Sequence, residues 1–119
     1  MADLQTLLPS ISTVIVKATS YTITAAECNG RFAFSNEGAG GLVTLTLPTA
    51  VANYSVKFIV QNVNGIKVAP GASDTIRLGA SSSATGIQST TVGATVDLIC
   101  INATEWIGVR SGFIDFATL

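Results

Sequence analysis

The segment Gly41-Leu42-Val43-Thr44-Leu45-Thr46-Leu47-Pro48 alternates apolar and polar side chains with a period of two. In an extended strand, this period places Val43, Leu45 and Leu47 on one face and the two threonines on the other. Glycines precede the segment and a proline ends it, which is typical of a short strand bounded by turns. The segment therefore predicts a β-strand with one buried face.

Similar β-like runs recur along the chain from Tyr21 onward, at intervals of roughly ten residues. Gly, Pro, Asn and Ser separate the runs, and none of them has the periodicity of a convincing helix. We therefore predict an all-β fold, a single-domain antiparallel β-sandwich or jelly-roll-like barrel of about nine short strands. The runs are 21–24, 31–35, 42–47, 55–61, 66–68, 75–78, 94–101, 106–109 and 113–116.

Two of these runs, 56–60 and 96–101, carry apolar residues on both faces. Central strands have this composition, and so do strands whose outer face is covered by another subunit. We expect these two runs to be the most buried.

Turn signals separate the runs. Asn29-Gly30 and Asn64-Gly65 each stand between two runs, where Asn-Gly is a strong signal for a tight hairpin turn. Residues 38–41 predict a flexible loop, and residues 81–86 predict a longer exposed excursion.

The first 17 residues differ from the rest, because apolar residues cluster there and Pro9 interrupts any helix. We expect residues 1–17 to form an N-terminal arm and residues 18–119 to form the all-β domain. The arm could pack on its own domain or in a groove of a partner. Its candidate contact residues are Leu4, Leu7, Leu8, Ile11, Val14 and Val16.

The chain has 119 residues and a net charge of −1, and charged residues make up only 11% of it. About 25% is usual, so we expect part of the surface to be hidden against other chains. The six Lys and Arg residues are scattered, which argues against nucleic-acid binding and against a charged membrane-binding patch. No apolar run has the roughly 20 residues that a membrane span needs.

The N-terminal sequence lacks the positive region of a secretion signal, so we expect the protein to be made in the cytoplasm and to remain there. In that setting Cys28 and Cys100 are expected to be free, buried thiols.

The sequence contains no histidine, the commonest general base and zinc ligand, which disfavours most nucleophilic and zinc chemistry. We therefore expect no catalytic residues, no cofactor and no metal. A pair of carboxylates acting as in glycosidases stays open, because it needs only two of the seven acidic residues across a cleft. Trp106 is a candidate anchor for the core or an interface, with stacking on a sugar as the alternative.

The order of segments from Tyr21 to Val109 resembles a β module that recurs in structural proteins and tail fibres of tailed bacteriophages. The resemblance covers about three quarters of the chain, and it rests on types of strand and turn, so no functional residues transfer with it. The segments that carry it are 21–24, 41–48, 57–62, 68–76, 96–100 and 105–107.

Within that family, a chain without a long shaft is similar to capsid cement (decoration) proteins. The resemblance implies a homotrimer on the outer capsid surface of the virion, bound to the major capsid protein, with the arm residues and Trp106 as interface candidates. A tail-fibre or receptor-binding tip is the alternative, with loops 38–41 and 81–86 facing a host glycan or protein. A small enzyme with a carboxylate pair is the third.

Overall fold

The alternating segment around Leu45 forms a strand in the computed structural model, which describes residues 13–109 and 115–119. Twelve strands and one short 3₁₀ turn, Ala25–Glu27, occur in these residues. The strands are β1 (Thr13–Val16), β2 (Tyr21–Thr22), β3 (Asn29–Ser35), β4 (Val43–Thr46), β5 (Ser55–Ile59), β6 (Ile66–Ala69), β7 (Thr75–Leu78), β8 (Ser81–Ser83), β9 (Ile87–Ser89), β10 (Thr95–Cys100), β11 (Glu105–Val109) and β12 (Ala117–Thr118). The prediction of an all-β fold is confirmed, and the estimate of nine strands is too low.

The strands form two sheets. One has seven strands in the order β1-β3-β5-β10-β11-β7-β8, and the other has five in the order β12-β9-β6-β4-β2. Both sheets are mixed, because β3 runs parallel to β1 and β5, and β4 runs parallel to β2 and β6. The expectation of antiparallel sheets is therefore wrong.

The reason for the parallel pairs is the path of the chain between β2 and β7, which changes sheet after every strand. When the chain leaves one strand, adds a strand to the other sheet and then returns, the returning strand can lie beside the first one and run in the same direction. Side chains alternate with the same period in parallel and antiparallel strands, so the sequence pattern does not distinguish the two.

The core lies between the two sheets, which gives a compact, sandwich-like domain. Val43 and Leu45 of the five-stranded sheet belong to the same buried cluster as Phe34 and Phe58 of the seven-stranded sheet. The two phenylalanine rings stack with their centroids 6.0 Å apart. Strands β5 and β10 lie side by side in the interior of their sheet, one of the two positions that their composition indicated. The expectation that these runs are the most buried is wrong, because Ile99 and Ile101 are 39% and 46% exposed.

The two Asn-Gly pairs behave differently. Gly65 donates its N–H to the carbonyl of Asn62 over 3.0 Å, so the predicted turn is present. It joins β5 to β6, which belong to different sheets, and the predicted hairpin is wrong. Asn29-Gly30 lies inside β3, at a shift in register against β5, where Gly30 has a φ of +85°. The predicted turn at Asn29-Gly30 is therefore wrong, and the left-handed backbone that favours Asn-Gly occurs here at an irregularity in the strand pairing.

The predicted excursion at residues 81–86 contains the short strand β8, whose last residue, Ser83, is buried. Residues 113 and 114 of the last predicted run lie outside the described residues, and the strand found nearby is β12. No helix among the described residues is both long and apolar enough to cross a bilayer.

Candidate interaction surface

The outward side of the seven-stranded sheet carries exposed apolar residues. We call this surface the apolar face and define it by Val14, Val16, Ile59, Ile99, Ile107 and Val109. The pairing register places Val14, Ala33, Lys57, Asp97 and Val109 in one row across five strands. Since paired residues point to the same side of a sheet, the row fixes which residues share this surface.

Four of these side chains are well exposed, with fractions of 53% for Val14, 48% for Val16 and 39% for both Ile99 and Val109. Ile59 and Ile107 are half-buried. The apolar face includes residues from β5 and β10, the two strands whose sequences are apolar on both sides. Their inward residues build the core, and their outward residues contribute to this surface.

Four charged residues on the same side form two ion pairs. Lys57 Nζ lies 3.4 Å from Asp97 Oδ1, and Arg77 Nε donates to Glu105 Oε2 over 2.9 Å. Each pair joins two neighbouring strands. These four charges are therefore neutralised within the chain. Arg31 of β3, two residues before the outward Ala33, is exposed and forms no ion pair with the described residues.

The outward side of the five-stranded sheet is different. It carries polar side chains along β2, β4, β6 and β9, in rows fixed by the pairing of the strands. These side chains belong to Thr22, Thr44, Thr46, Lys67 and Gln88. Of the two outward sides, the seven-stranded sheet therefore has the one suited to burial against another protein.

The residues predicted for an interface have different positions. Val14 and Val16 lie on the edge strand β1 and are part of the apolar face. Trp106 has no exposed surface and packs near Tyr54, with ring centroids 6.3 Å apart, so it belongs to the core and is removed from the interface set. Leu4, Leu7, Leu8 and Ile11 lie outside the described residues.

Sequence reasoning did not select Ile59, Ile99, Ile107 or Val109 as contact residues. A signal for two of them was present, because 56–60 and 96–101 are apolar on both faces. It could not be used residue by residue without knowing which face of each strand points into the core.

The carboxylates among the described residues mostly contact groups of their own chain. The Tyr21 hydroxyl donates to both oxygens of Glu27, each 2.9 Å away, and this bond raises the pKa of the tyrosine. Asp74 is buried and accepts the N–H of Ala50 over 2.9 Å. Thr91 donates its hydroxyl to Asp115. No group of three or more His, Cys, Asp or Glu side chains within 13–109 and 115–119 is placed to hold a metal ion.

Both cysteines are free and buried, as predicted. Cys28 directly precedes β3, and Cys100 ends β10. Burial, with smaller contributions from Glu27 and Cys100, raises the pKa of the Cys28 thiol to about 12. Burial also raises the pKa of Cys100.

The fold and the surface together describe a two-sheet, sandwich-like all-β domain with one apolar outward side. Comparison with known proteins finds no family model that matches the chain and no curated protein similar to it.

Proposed function

We propose that this protein is a capsid cement (decoration) protein of a tailed bacteriophage, bound through the apolar face to neighbouring capsid subunits on the outer shell. The observation that carries the proposal is the contrast between the two outward sides. One has six apolar side chains around two ion pairs, and the other carries threonines, a lysine and a glutamine.

The size of the apolar face limits what it can do alone. Five strands of about five residues cover about 400 Å², given strand spacings of about 4.8 Å and about 3.3 Å per residue. A standard protein interface buries about 800 Å² on each partner. A second contact surface is therefore needed, and the apolar residues of segment 1–12 are the candidates for it.

Burial would supply the binding energy. At about 25 cal/mol per Å² of apolar area, and with roughly half of the face apolar, burial would contribute about 5 kcal/mol before the cost of association. A cement protein acts in many copies, so even a modest net affinity per copy would stabilise a shell. The homotrimeric state and the partnership with the major capsid protein stay predictions.

The proposal is tested with purified protein and phage shells assembled without it. Binding is measured by co-sedimentation, and shell stability by the temperature at which the shells rupture. We expect the wild-type protein to bind and to raise that temperature. Deletion of residues 1–12, which keeps β1 intact, and the double variant Ile99→Lys/Val109→Lys should each weaken binding at least about tenfold, since each removes apolar burial.

The matched control is Thr44→Lys/Gln88→Lys, which adds the same charges to the polar side and should bind like the wild type. Unchanged shell binding by both the deletion and the Ile99→Lys/Val109→Lys variant would contradict the proposal. Binding to host cells or glycans without binding to shells would favour the tail-fibre alternative instead.

A further inference from the structure

Strand β1 forms one edge of the seven-stranded sheet and is the longest edge strand among the described residues. The edge strands β2 and β12 have two residues each. The remaining edge strand, β8, consists of three serines. The Ser83 hydroxyl donates to the carbonyl of Leu119 and accepts the N–H groups of Thr85 and Gly86.

The sequence of β1 is Thr-Val-Ile-Val, with no charge and no proline. Proteins usually protect an exposed edge with charged residues, prolines or bulges, because its free backbone groups can pair with another strand. The nearest charge, Lys17, lies just after β1, and its Nζ lies 3.7 Å from the ring centroid of Tyr21. Lys17 is thus held against its own domain.

The backbone groups on the outer edge of β1 belong to Val14 and Val16. The N–H of Lys17 donates to the carbonyl of Ser35 on β3 over 2.8 Å. Backbone groups point to alternate sides along a strand, so those of Ile15 also point to β3 and those of Val14 and Val16 point away from it. No described strand pairs with this outer edge.

We propose that β1 pairs with β1 of a second copy of this chain, antiparallel and about a two-fold axis at Ile15. In this register Val14 lies opposite Val16 of the partner subunit, and each valine exchanges N–H and C=O with its counterpart. The edge is self-complementary, since the outward donors and acceptors of the two valines form four hydrogen bonds across the axis.

The side chains fit the same register. Val14 and Val16, which are 53% and 48% exposed in the single chain, become a cross-strand pair of β-branched residues, which favours sheet pairing. The two seven-stranded sheets then continue into one another, and their apolar faces form one surface on one side.

The length of β1 limits the area of this contact. Thr13 lies opposite Lys17 of the partner subunit, so the paired segment is little longer than the four residues of β1. A strand pair of this length buries little area by itself, so the pairing depends on its backbone hydrogen bonds and on the two valine pairs.

This pairing concerns the protein in solution and does not depend on binding to a shell. A two-fold contact and a three-fold contact can occur together in a six-chain assembly. The test measures the mass of the full chain by size-exclusion chromatography with light scattering. We expect twice the chain mass or an even multiple of it.

Charge variants test the register. Val14→Lys/Val16→Lys places lysine opposite lysine and should raise the dissociation constant about 100-fold, which halves the assembly. Val14→Lys/Val16→Glu places lysine opposite glutamate and should keep the wild-type mass. Val63→Lys/Val92→Lys is the matched control, because both valines are well exposed and lie outside the strands. It should also keep the wild-type mass.

A proline variant tests the hydrogen bonds. Val14→Pro removes an outward N–H without breaking a bond inside the chain, so it should weaken the pairing while the urea midpoint of the single domain stays unchanged. A monomeric or trimeric wild type would overturn the proposal. Equal loss of assembly in the lysine–lysine and lysine–glutamate variants would overturn it as well.

Discussion

The side-chain amide of Asn36 donates to the backbone carbonyl of Gly65 over 3.1 Å and links the end of β3 to the start of β6. The two strands belong to different sheets, so this hydrogen bond crosses the sandwich. The same amide nitrogen also donates to Asn62, and the Oδ1 atom of Asn36 accepts the N–H groups of Gln61 and Asn62. One fully buried side chain thus fixes the connection from β5 to β6.

Replacement of this residue, Asn36→Ala, should lower the free energy of unfolding by about 3 kcal/mol, because it leaves buried backbone donors and an acceptor without partners. Urea unfolding followed by tryptophan fluorescence measures the change. The control is Asn64→Ala, whose exposed side chain makes a single bond to Ala39 and should cost less than about 1 kcal/mol. Equal losses in the two variants would contradict the role of Asn36.

Gly86 marks a place where two backbones approach closely. Its φ is +127°, and a Cβ added there would lie 2.1 Å from the carbonyl oxygen of Val68. Gly86→Ala should therefore cost more than about 3 kcal/mol, since strain and a backbone clash add together. The control is Gly79→Ala, where φ is +61° and nothing lies within 4 Å, so about 1 kcal/mol is expected. Thermal unfolding of both variants measures the difference.

The sequence predicted the strands more completely than their arrangement. Val43 and Leu45 are buried, as their alternation indicates. Segments 56–60 and 96–101, which are apolar on both faces, belong to the interior strands β5 and β10. The alternation of side chains does not reveal the direction of a strand or which sheet it joins, so the parallel pairs and the crossings between sheets were missed. For the same reason Asn64-Gly65 predicted a turn correctly and a hairpin wrongly.

The candidate surface was predictable only in part. Val14 and Val16 stand out in the sequence as members of an apolar cluster near the N-terminus, and the structure places both on the edge strand. Trp106 was ambiguous, because a large aromatic residue suits a core and an interface equally. The other apolar residues of the surface could be assigned only after the pairing register showed which side of each strand faces the core.

The burial of Cys28 predicts a loss of stability at high pH. Its pKa is raised to about 12 in the folded protein, from an ordinary value of 9.0. A raised thiol pKa means that the stability is fully present below about pH 9 and is lost as the pH rises toward 12. At pH 10, ionisation of this thiol in the unfolded chain should lower the free energy of unfolding by about 1 kcal/mol.

Urea unfolding at pH 7 and pH 10, with Cys28→Ala alongside the wild type, measures this contribution. The variant should be less stable at pH 7 because of the lost packing, and its stability should fall less between the two pH values. Identical pH dependence in the two proteins would show that Cys28 does not titrate as its burial requires.

The ion pair between Lys57 and Asp97 lies in the middle of the apolar face, and its energetics can be separated from those of the apolar residues. Asp97 Oδ1 has almost no exposed surface and no hydrogen-bond partner among the described residues, so Lys57, 3.4 Å away, is what compensates its charge. Lys57→Met should lower the free energy of unfolding by about 1 kcal/mol, because the carboxylate then loses that compensation.

The double variant Lys57→Met/Asp97→Leu removes both charges and should return to within about 0.5 kcal/mol of the wild type, since apolar residues can replace a partly buried ion pair at little cost. Lys67→Met is the control. Lys67 is half-buried on the outward side of the five-stranded sheet and forms no ion pair with the described residues, so a change below about 0.5 kcal/mol is expected. A double variant less stable than Lys57→Met would contradict this account. It would mean that Asp97 stabilises the sheet through a contact other than its ion pair with Lys57.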